Sequence, residues 1–281
     1  MNLSNGLGNK KECMKMKLGF VGGGNMAEAI IKGALQANAL MSQDIFVVDV
    51  SAERLKYLAA TYGVRVSTTW DELHENADVV LLAIKPQQAK SVLEEHRNTL
   101  KEKCIVSIMA GISTQSIADT LGVNAKILRV MPNTPALIGK GITVLSSQHT
   151  LDEKTFDFMH LIFKSLGDVL VLNEAYFHGV TALSGSGPAY VYMFIEALAD
   201  AAVAQGLPRA EALRMATQTV YGAAAMVSET GQHPAVLKDM VCSPGGTTIM
   251  AVKALEQSGF RNATMSAVDA AACQSKKLSE N

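Results

Sequence analysis

Aromatic side chains are scarce in this 281-residue sequence: one Trp, six Tyr and eight Phe, 5% of the chain. That disfavours an aromatic-rich binding face and favours close-packed helices of small residues. Charge of one sign is lacking too. Lys and Arg number 25 against 26 Asp and Glu, so no global field attracts nucleic acid or an anionic membrane. The four cysteines, Cys13, Cys104, Cys242 and Cys273, show no paired spacing. They suit a reducing, cytoplasmic setting better than a disulfide scaffold. The six histidines are scattered and none pairs with cysteine or carboxylate at ligand spacing, so no metal is expected. Long apolar runs are missing as well. Ala189 to Ala204 is the most apolar segment, yet it carries Glu196 and Asp200. It falls short of the roughly 20 residues that span a bilayer. Lys10, Lys11, Lys15 and Lys17 precede an apolar run that three glycines and Glu28 break, which argues against a signal peptide. Residues 1–16 read as a polar, mobile leader.

What is present starts with Leu18 to Ile31. An apolar run ends at Val21, Gly22-Gly23-Gly24 makes a turn, and from Asn25 the apolar residues fall at helical spacing: Met26, Ala29, Ile30, Gly33, Ala34, Ala37. Strand, glycine turn and helix turn the spacing Gly22-x-Gly24-x-x-Ala27 into a dinucleotide-binding fingerprint. Bare backbone lets a pyrophosphate approach, and the helix start offers unpaired N–H groups. An ordinary tight turn is the simpler alternative.

Further strands are expected at Ile45–Val48, Val64–Val66, Val79–Ile84, Ile105–Met109, Ile127–Met131, Ile142–Leu145 and Val169–Leu172, with a helix over Phe156–Leu166. Their alternation with helices predicts a doubly wound, mostly parallel sheet. Beyond Asn173 the strand signal disappears. Pro188–Gln205 is apolar nearly all round, as a helix buried on every side would be. A second subunit is its natural cover. Arg209–Glu229 is alanine-rich. The sequence thus predicts a Rossmann-type domain over 17–173 and an all-α dimerisation and substrate domain over 174–281.

Ligands of open α/β sheets lie beyond the carboxyl ends of the strands. Asp49 stands where an acidic residue accepts hydrogen bonds from the adenosine ribose, and Val50 follows it rather than an arginine, which points to NADH over NADPH. Arg54 lies within reach of a phosphate. Lys85-Pro86 puts a charge before a rigid residue, for contact with cofactor or substrate or merely to end the strand. Pro132-Asn133-Thr134-Pro135 pins a loop, as a crossover or as a ligand contact. In the helical half, Ser243-Pro244-Gly245-Gly246-Thr247-Thr248 precedes a helix start near Thr248. Glycines and hydroxyls beside exposed N–H groups make a carboxylate site there. The alternative is an N-cap in which Thr247 or Thr248 serves only the helix. Ser184-Gly185-Ser186-Gly187 has no strand before it and is no nucleophile elbow, and Cys242 has no adjoining histidine.

Taken together, five stretches resemble successive signatures of the pyrroline-5-carboxylate reductase family. They are Gly19–Met26, Ala83-Ile84-Lys85-Pro86-Gln87, Met131–Ala136, Leu183–Tyr190 and Leu237–Thr248. The match runs in order from about Leu18 to Leu278. The resemblance implies reduction of Δ1-pyrroline-5-carboxylate to proline, the last step of proline synthesis, with NADPH or NADH. It implies that Gly22, Gly23, Gly24, Asn25, Met26, Ala27, Asp49, Ala83, Lys85, Pro86, Ala110 and Gly111 hold the cofactor. Val241, Ser243, Gly246, Thr247 and Thr248 would hold the substrate, with Thr248 near the ring nitrogen and Lys85 near the chemistry. It also implies an intertwined homodimer, often a ring of five dimers. Asp49-Val50 departs from the Ser/Asn-Arg of NADPH-preferring members, and Met240 stands where some members have asparagine.

The chemistry fits what is missing. An imine nitrogen is basic and arrives protonated, so the site needs positioning more than a strong acid. Orientation alone contributes roughly 7–11 kcal/mol in ideal cases. Thr248 then serves as proton donor or hydrogen-bond orienter. Two rivals stand against this. A β-hydroxyacid dehydrogenase would need a lysine where this chain has Val191. A non-catalytic NAD(P)-sensing module would keep Gly22–Ala27 and have no need of Ser243–Thr248.

Overall fold

The structure, a computed structural model, describes residues 16–122 and 124–279. The leader reading lies outside these residues except for Met16, which packs against the core.

Eight strands are β1 (Leu18–Val21), β2 (Ile45–Val48), β3 (Arg65–Ser67), β4 (Val79–Leu82), β5 (Cys104–Ser107), β6 (Lys126–Met131), β7 (Gly141–Ser146) and β8 (Gly167–Leu172). They form one sheet in the order β3-β2-β1-β4-β5-β6-β7-β8. The first six are parallel, in the dinucleotide-binding order. The helices of this part are α1 (Asn25–Gln36), α2 (Ala52–Tyr62), α3 (Asp71–Asn76), α4 (Ala89–Glu95), α5 (Arg97–Leu100), α6 (Thr114–Leu121) and α7 (Glu153–Lys164).

Alternation along the strands seals both faces. Val79 and Leu81 of β4 share a core with Ile30 of α1, Leu58 of α2 and Phe158 of α7. Val80 and Leu82 share the opposite core with Leu73 of α3, Leu93 of α4 and Ile117 of α6. Each such buried side chain contributes roughly 1.5–3 kcal/mol, so a strand apolar on both sides has no alternative but a layer of helices on each.

The parallel order breaks at β6 and β7, which pair antiparallel. Their connection is a short 3-10 turn, Thr134–Ile138, and a parallel return would need a crossover of a dozen residues or more. Asn133 fixes the reversal, since its Oδ1 accepts the Ile142 N–H at 2.9 Å. The carboxyl ends of β7 and β8 therefore lie at the opposite end of the sheet from those of β1–β6. Element ends differ from expectation by a few residues where caps intervene. α7 starts at Glu153, three residues early, because Asp152 caps the Thr155 N–H at 2.8 Å. β3 runs one residue later than Val64–Val66, after Gly63 closes α2 in the left-handed conformation.

The chain divides into two units between Phe177 and His178, within the short helix α8 (Phe177–Val180). The second unit opens on a π turn over Thr181–Gly185 and continues as α9 (Gly187–Ala204), α10 (Arg209–Thr230), α11 (Pro234–Met240), α12 (Thr247–Gln257) and α13 (Phe260–Ser279). Its fully or nearly fully buried apolar residues are Ala182, Ala199, Ala212 and Ala216. In the single chain α9 is not buried on all sides: Tyr192 and Met193 are 60% and 70% exposed. Among the described residues no helix is long and apolar enough to cross a membrane.

Candidate functional site

The three glycines after β1 do three different jobs. Gly22 has φ +96°, and a Cβ there would lie 2.6 Å from the Ala83 carbonyl oxygen, so only glycine fits. Its N–H reaches the Val48 carbonyl at 2.8 Å. Gly23 turns inward, where a Cβ would press on Leu58, and its N–H donates to Asp49 Oδ2 at 2.7 Å. Gly24 is the N-cap of α1, with no side-chain cap bond and with open space where its Cβ would be. The first N–H groups of α1 are thus left without a capping side chain beside an open surface, the arrangement that accepts a phosphate. Ala27 is fully buried and lets α1 approach the sheet, while Asn25 is exposed and Met26 packs on the core.

A pocket of about 310 Å³ opens in front of this turn. It gathers Gly22, Gly24, Asp49, Ala83 and Lys85 from three segments of the expected set. Gly23, Asn25, Met26, Ala27, Pro86, Ala110 and Gly111 do not line it; the last lies in the turn after β5 at φ +78°. Sequence reasoning missed Thr68, Trp70 and Gln88, which do line it. The strand-end rule would have found Thr68, just beyond β3, had it been applied to the end of that strand. Trp70 is held in the wall by stacking on His96, with ring centroids 3.7 Å apart. Burial there pushes the His96 pKa down, against the opposing pull of the Glu95 charge. A larger cleft of about 450 Å³ is lined by Thr114, Gln148, Thr150 and Glu174. It holds no glycine turn, and Glu174 already takes the Thr114 N–H at the start of α6, so the smaller pocket is the nucleotide candidate.

Asp49 is more occupied than expected. Besides Gly23, its other oxygen accepts the Ser51 N–H at 2.8 Å. Arg54 is occupied too: its Nε donates to the Gly23 carbonyl, and its Nη2 pairs with Glu28. The hydroxyls of Tyr57 and Tyr62 donate to Glu28 Oε1 at 2.9 and 2.7 Å. Burial pushes the Glu28 pKa up, but the bonds from Arg54, Tyr62 and Tyr57 outweigh it and hold the carboxyl below its ordinary range. Burial and the Glu28 charge push the Tyr62 phenol well above its ordinary value.

In the helical unit, the turn before α12 repeats the logic. Gly245 has φ +67°. Gly246 is the N-cap, and a Cβ on it would collide with the Ser243 hydroxyl. Thr247 and Thr248 are the first residues of α12, and no side chain caps it. The capping role for these threonines is therefore not the one they play. The first N–H groups of α12 are left without a capping side chain, as at α1, an arrangement suited to an anion. Val241, at the end of α11, is 64% exposed. Ser184–Gly187 runs from the end of the π turn into the first residue of α9, with no strand directly before it. No group of three or more His, Cys, Asp or Glu among the described residues is placed to hold a metal ion.

A Rossmann-type sheet with an uncapped glycine turn, followed by an all-helical unit with its own uncapped turn, defines a nicotinamide-dependent oxidoreductase of the two-domain class. Comparison with known proteins narrows this. Residues 174–278 match the family model described as pyrroline-5-carboxylate reductase dimerisation, and residues 17–111 match one described as NADP oxidoreductase, coenzyme F420-dependent. The chain is 44% identical over 270 residues to the pyrroline-5-carboxylate reductase of Escherichia coli, covering 95% of this chain and 100% of that protein. Among solved structures, a Plasmodium falciparum pyrroline carboxylate reductase with NADP bound superposes with a TM-score of 0.86 at 34% identity, covering 94% of this chain and 98% of that one. A Coxiella burnetii pyrroline-5-carboxylate reductase gives 0.87 at 37%, covering 95% and 100%. The chain belongs to the pyrroline-5-carboxylate reductase family.

Proposed function

We propose that the protein reduces Δ1-pyrroline-5-carboxylate to L-proline with NADH or NADPH as reductant. The observation that carries this reading is end-to-end: 44% identity to the Escherichia coli reductase over 95% of the chain. When bound, the reduced nicotinamide supplies a hydride to the imine carbon. The chain's own residues bind and orient. The open N-terminus of α1 at Gly24, Asn25 and Met26 takes the pyrophosphate, and Asp49 takes the ribose. Ala83, Lys85 and Pro86, with Ala110 and Gly111, flank the rest of the cofactor.

At the start of α12, Ser243 and the backbone of Gly246 and Thr247 take the substrate carboxylate, with Val241 beside them. The Thr248 hydroxyl hydrogen-bonds at the ring nitrogen. Because that nitrogen is basic enough to arrive protonated, no strong acid is required. Val191 stands where a hydroxyacid dehydrogenase needs its lysine, which supports this chemistry over carbonyl reduction.

The family's dimerisation model over 174–278 and the exposed apolar side chains of α9 make the protein a homo-oligomer. We propose a dimer that assembles further into a ring of five dimers, and a cytoplasmic location. The test is oxidation of reduced nicotinamide by pyrroline-5-carboxylate with L-proline as product. Cofactor binding without absorbance change would instead indicate a sensing module.

A further inference from the structure

The Gly23 peptide is gripped by opposite charges. Asp49 takes its N–H at 2.7 Å, and Arg54 Nε donates to its carbonyl. Arg54 belongs to the first turn of α2, just past the strand end where a dinucleotide's adenosine ribose is held. A guanidinium there has the fork geometry for a 2′-phosphate. In this chain that fork is turned back. Nη2 pairs with Glu28, and the guanidinium carbon stands 5.0 Å from the Tyr57 ring centroid. Glu28 is in turn fixed by the Tyr57 and Tyr62 hydroxyls. The Arg54 and Glu28 side chains are only 24% and 16% exposed, so water screens this pair less than a surface pair.

We propose that Glu28 is a cofactor-selectivity residue: by holding Arg54 on the glycine loop it withholds the guanidinium from a 2′-phosphate, and so reinforces the preference for NADH that Asp49 sets. Glu28 acts through Arg54 and is a positioning residue. Asp49 repels the 2′-phosphate and Glu28 withholds the Arg54 guanidinium that would offset the repulsion. The inference rests on the reading of Gly22–Ala27 as the pyrophosphate loop.

The experiment measures kcat/KM with NADH and with NADPH, at saturating pyrroline-5-carboxylate, for the wild type, Glu28→Gln, Arg54→Gln and the double variant. The wild type is expected to prefer NADH. Glu28→Gln should raise the NADPH-to-NADH ratio by about fivefold or more, the scale of one charge-assisted contact. Adding Arg54→Gln should return the ratio to the wild-type value. Arg54→Gln alone should raise KM for both cofactors and leave the ratio unchanged. A folded Glu28→Gln enzyme with an unaltered ratio overturns the inference, as does a raised ratio that survives in the double variant. If Glu28→Gln does not fold, the single Arg54→Gln variant decides. Selective loss of NADPH in it would place Arg54 on the phosphate already and overturn the inference, and equal loss would support it. A wild type that prefers NADPH overturns it as well. Oxidation of neither cofactor by the wild type overturns the proposed function and this inference together, whereas turnover with an unaltered ratio counts against Glu28 alone.

Discussion

The two units of this chain solve the problem of a core in opposite ways. The sheet unit buries Phe20, Phe46, Phe158 and Phe163 essentially completely, on both faces of its strands. The helical unit fully buries little beyond alanines and leaves Tyr192, Met193, Met215, Tyr221 and Met265 more than half exposed in the single chain. Large apolar side chains exposed in such number are a feature of interaction surfaces. One unit is sealed by its own sequence, and the other, which matches a dimerisation family model, is left unsealed in the single chain. Substitutions should therefore act through folding in the first unit and through assembly in the second.

The largest effect is expected at Gly22. Gly22→Val combines φ +96° with a clash against the Ala83 carbonyl and should destabilise the sheet unit by roughly 3 kcal/mol or more. Gly24→Ala, by contrast, meets nothing within 4 Å and should leave the melting temperature nearly unchanged while raising KM for the cofactor. Urea denaturation beside cofactor titration separates the two, and equal melting losses would remove the distinction between a backbone requirement and a ligand requirement. Next comes Glu174, whose carboxylate pairs with Arg129 Nη1 at 2.9 Å and accepts the Thr114 N–H at the same distance. The Arg129 side chain is only 5% exposed. Glu174→Gln should cost about 3 kcal/mol, because it leaves a buried guanidinium uncompensated. A loss no greater than that of a surface substitution would show that the pair is not a structural anchor.

In the helical unit, Met193→Asp tests assembly. In an isolated chain it would be nearly silent, as surface changes are, within about 0.5 kcal/mol. In a covered interface it buries a charge, and sedimentation should report a smaller species. An unchanged mass would show that this part of α9 is not covered. A smaller effect is expected at Thr248. Thr248→Val should lower kcat/KM by about tenfold, one hydrogen bond of ~1.4 kcal/mol, and leave the oligomer intact. An unchanged value would reject its role at the ring nitrogen. The smallest concerns pH. Glu28 has a folded pKa below its unfolded one, so the stability it contributes is present above about pH 4.5, the ordinary carboxyl value, and is lost as pH falls through the folded value. Glu28→Gln should lose less stability than the wild type across that interval. Parallel losses would mean that the Arg54 and tyrosine contacts contribute little.

Much of the sheet unit was legible because its strands are apolar runs and its first turn is written in glycine. Direction was less so. The Ile142–Leu145 run says strand, and only the short connection through Asn133 says that it reverses. Position was legible where partner was not: Asp49 falls at the expected strand end, but nothing in the sequence says that Gly23 and Ser51 take both its oxygens. The Glu28–Arg54 pair joins residues 26 apart that only the glycine turn brings together. In the helical unit the Ser243–Thr248 turn was legible as an anion site or a cap. The backbone places the cap on Gly246, with no threonine side chain capping α12, which removes the second of these readings.

The central claim is that this chain reduces a cyclic imine. The most direct test follows absorbance of reduced nicotinamide on adding pyrroline-5-carboxylate, with a β-keto acid in a parallel cuvette and proline measured at the end. Oxidation with the imine alone, matched mole for mole by L-proline, is the predicted result. Oxidation with the keto acid, or none with the imine although the cofactor binds, would contradict it.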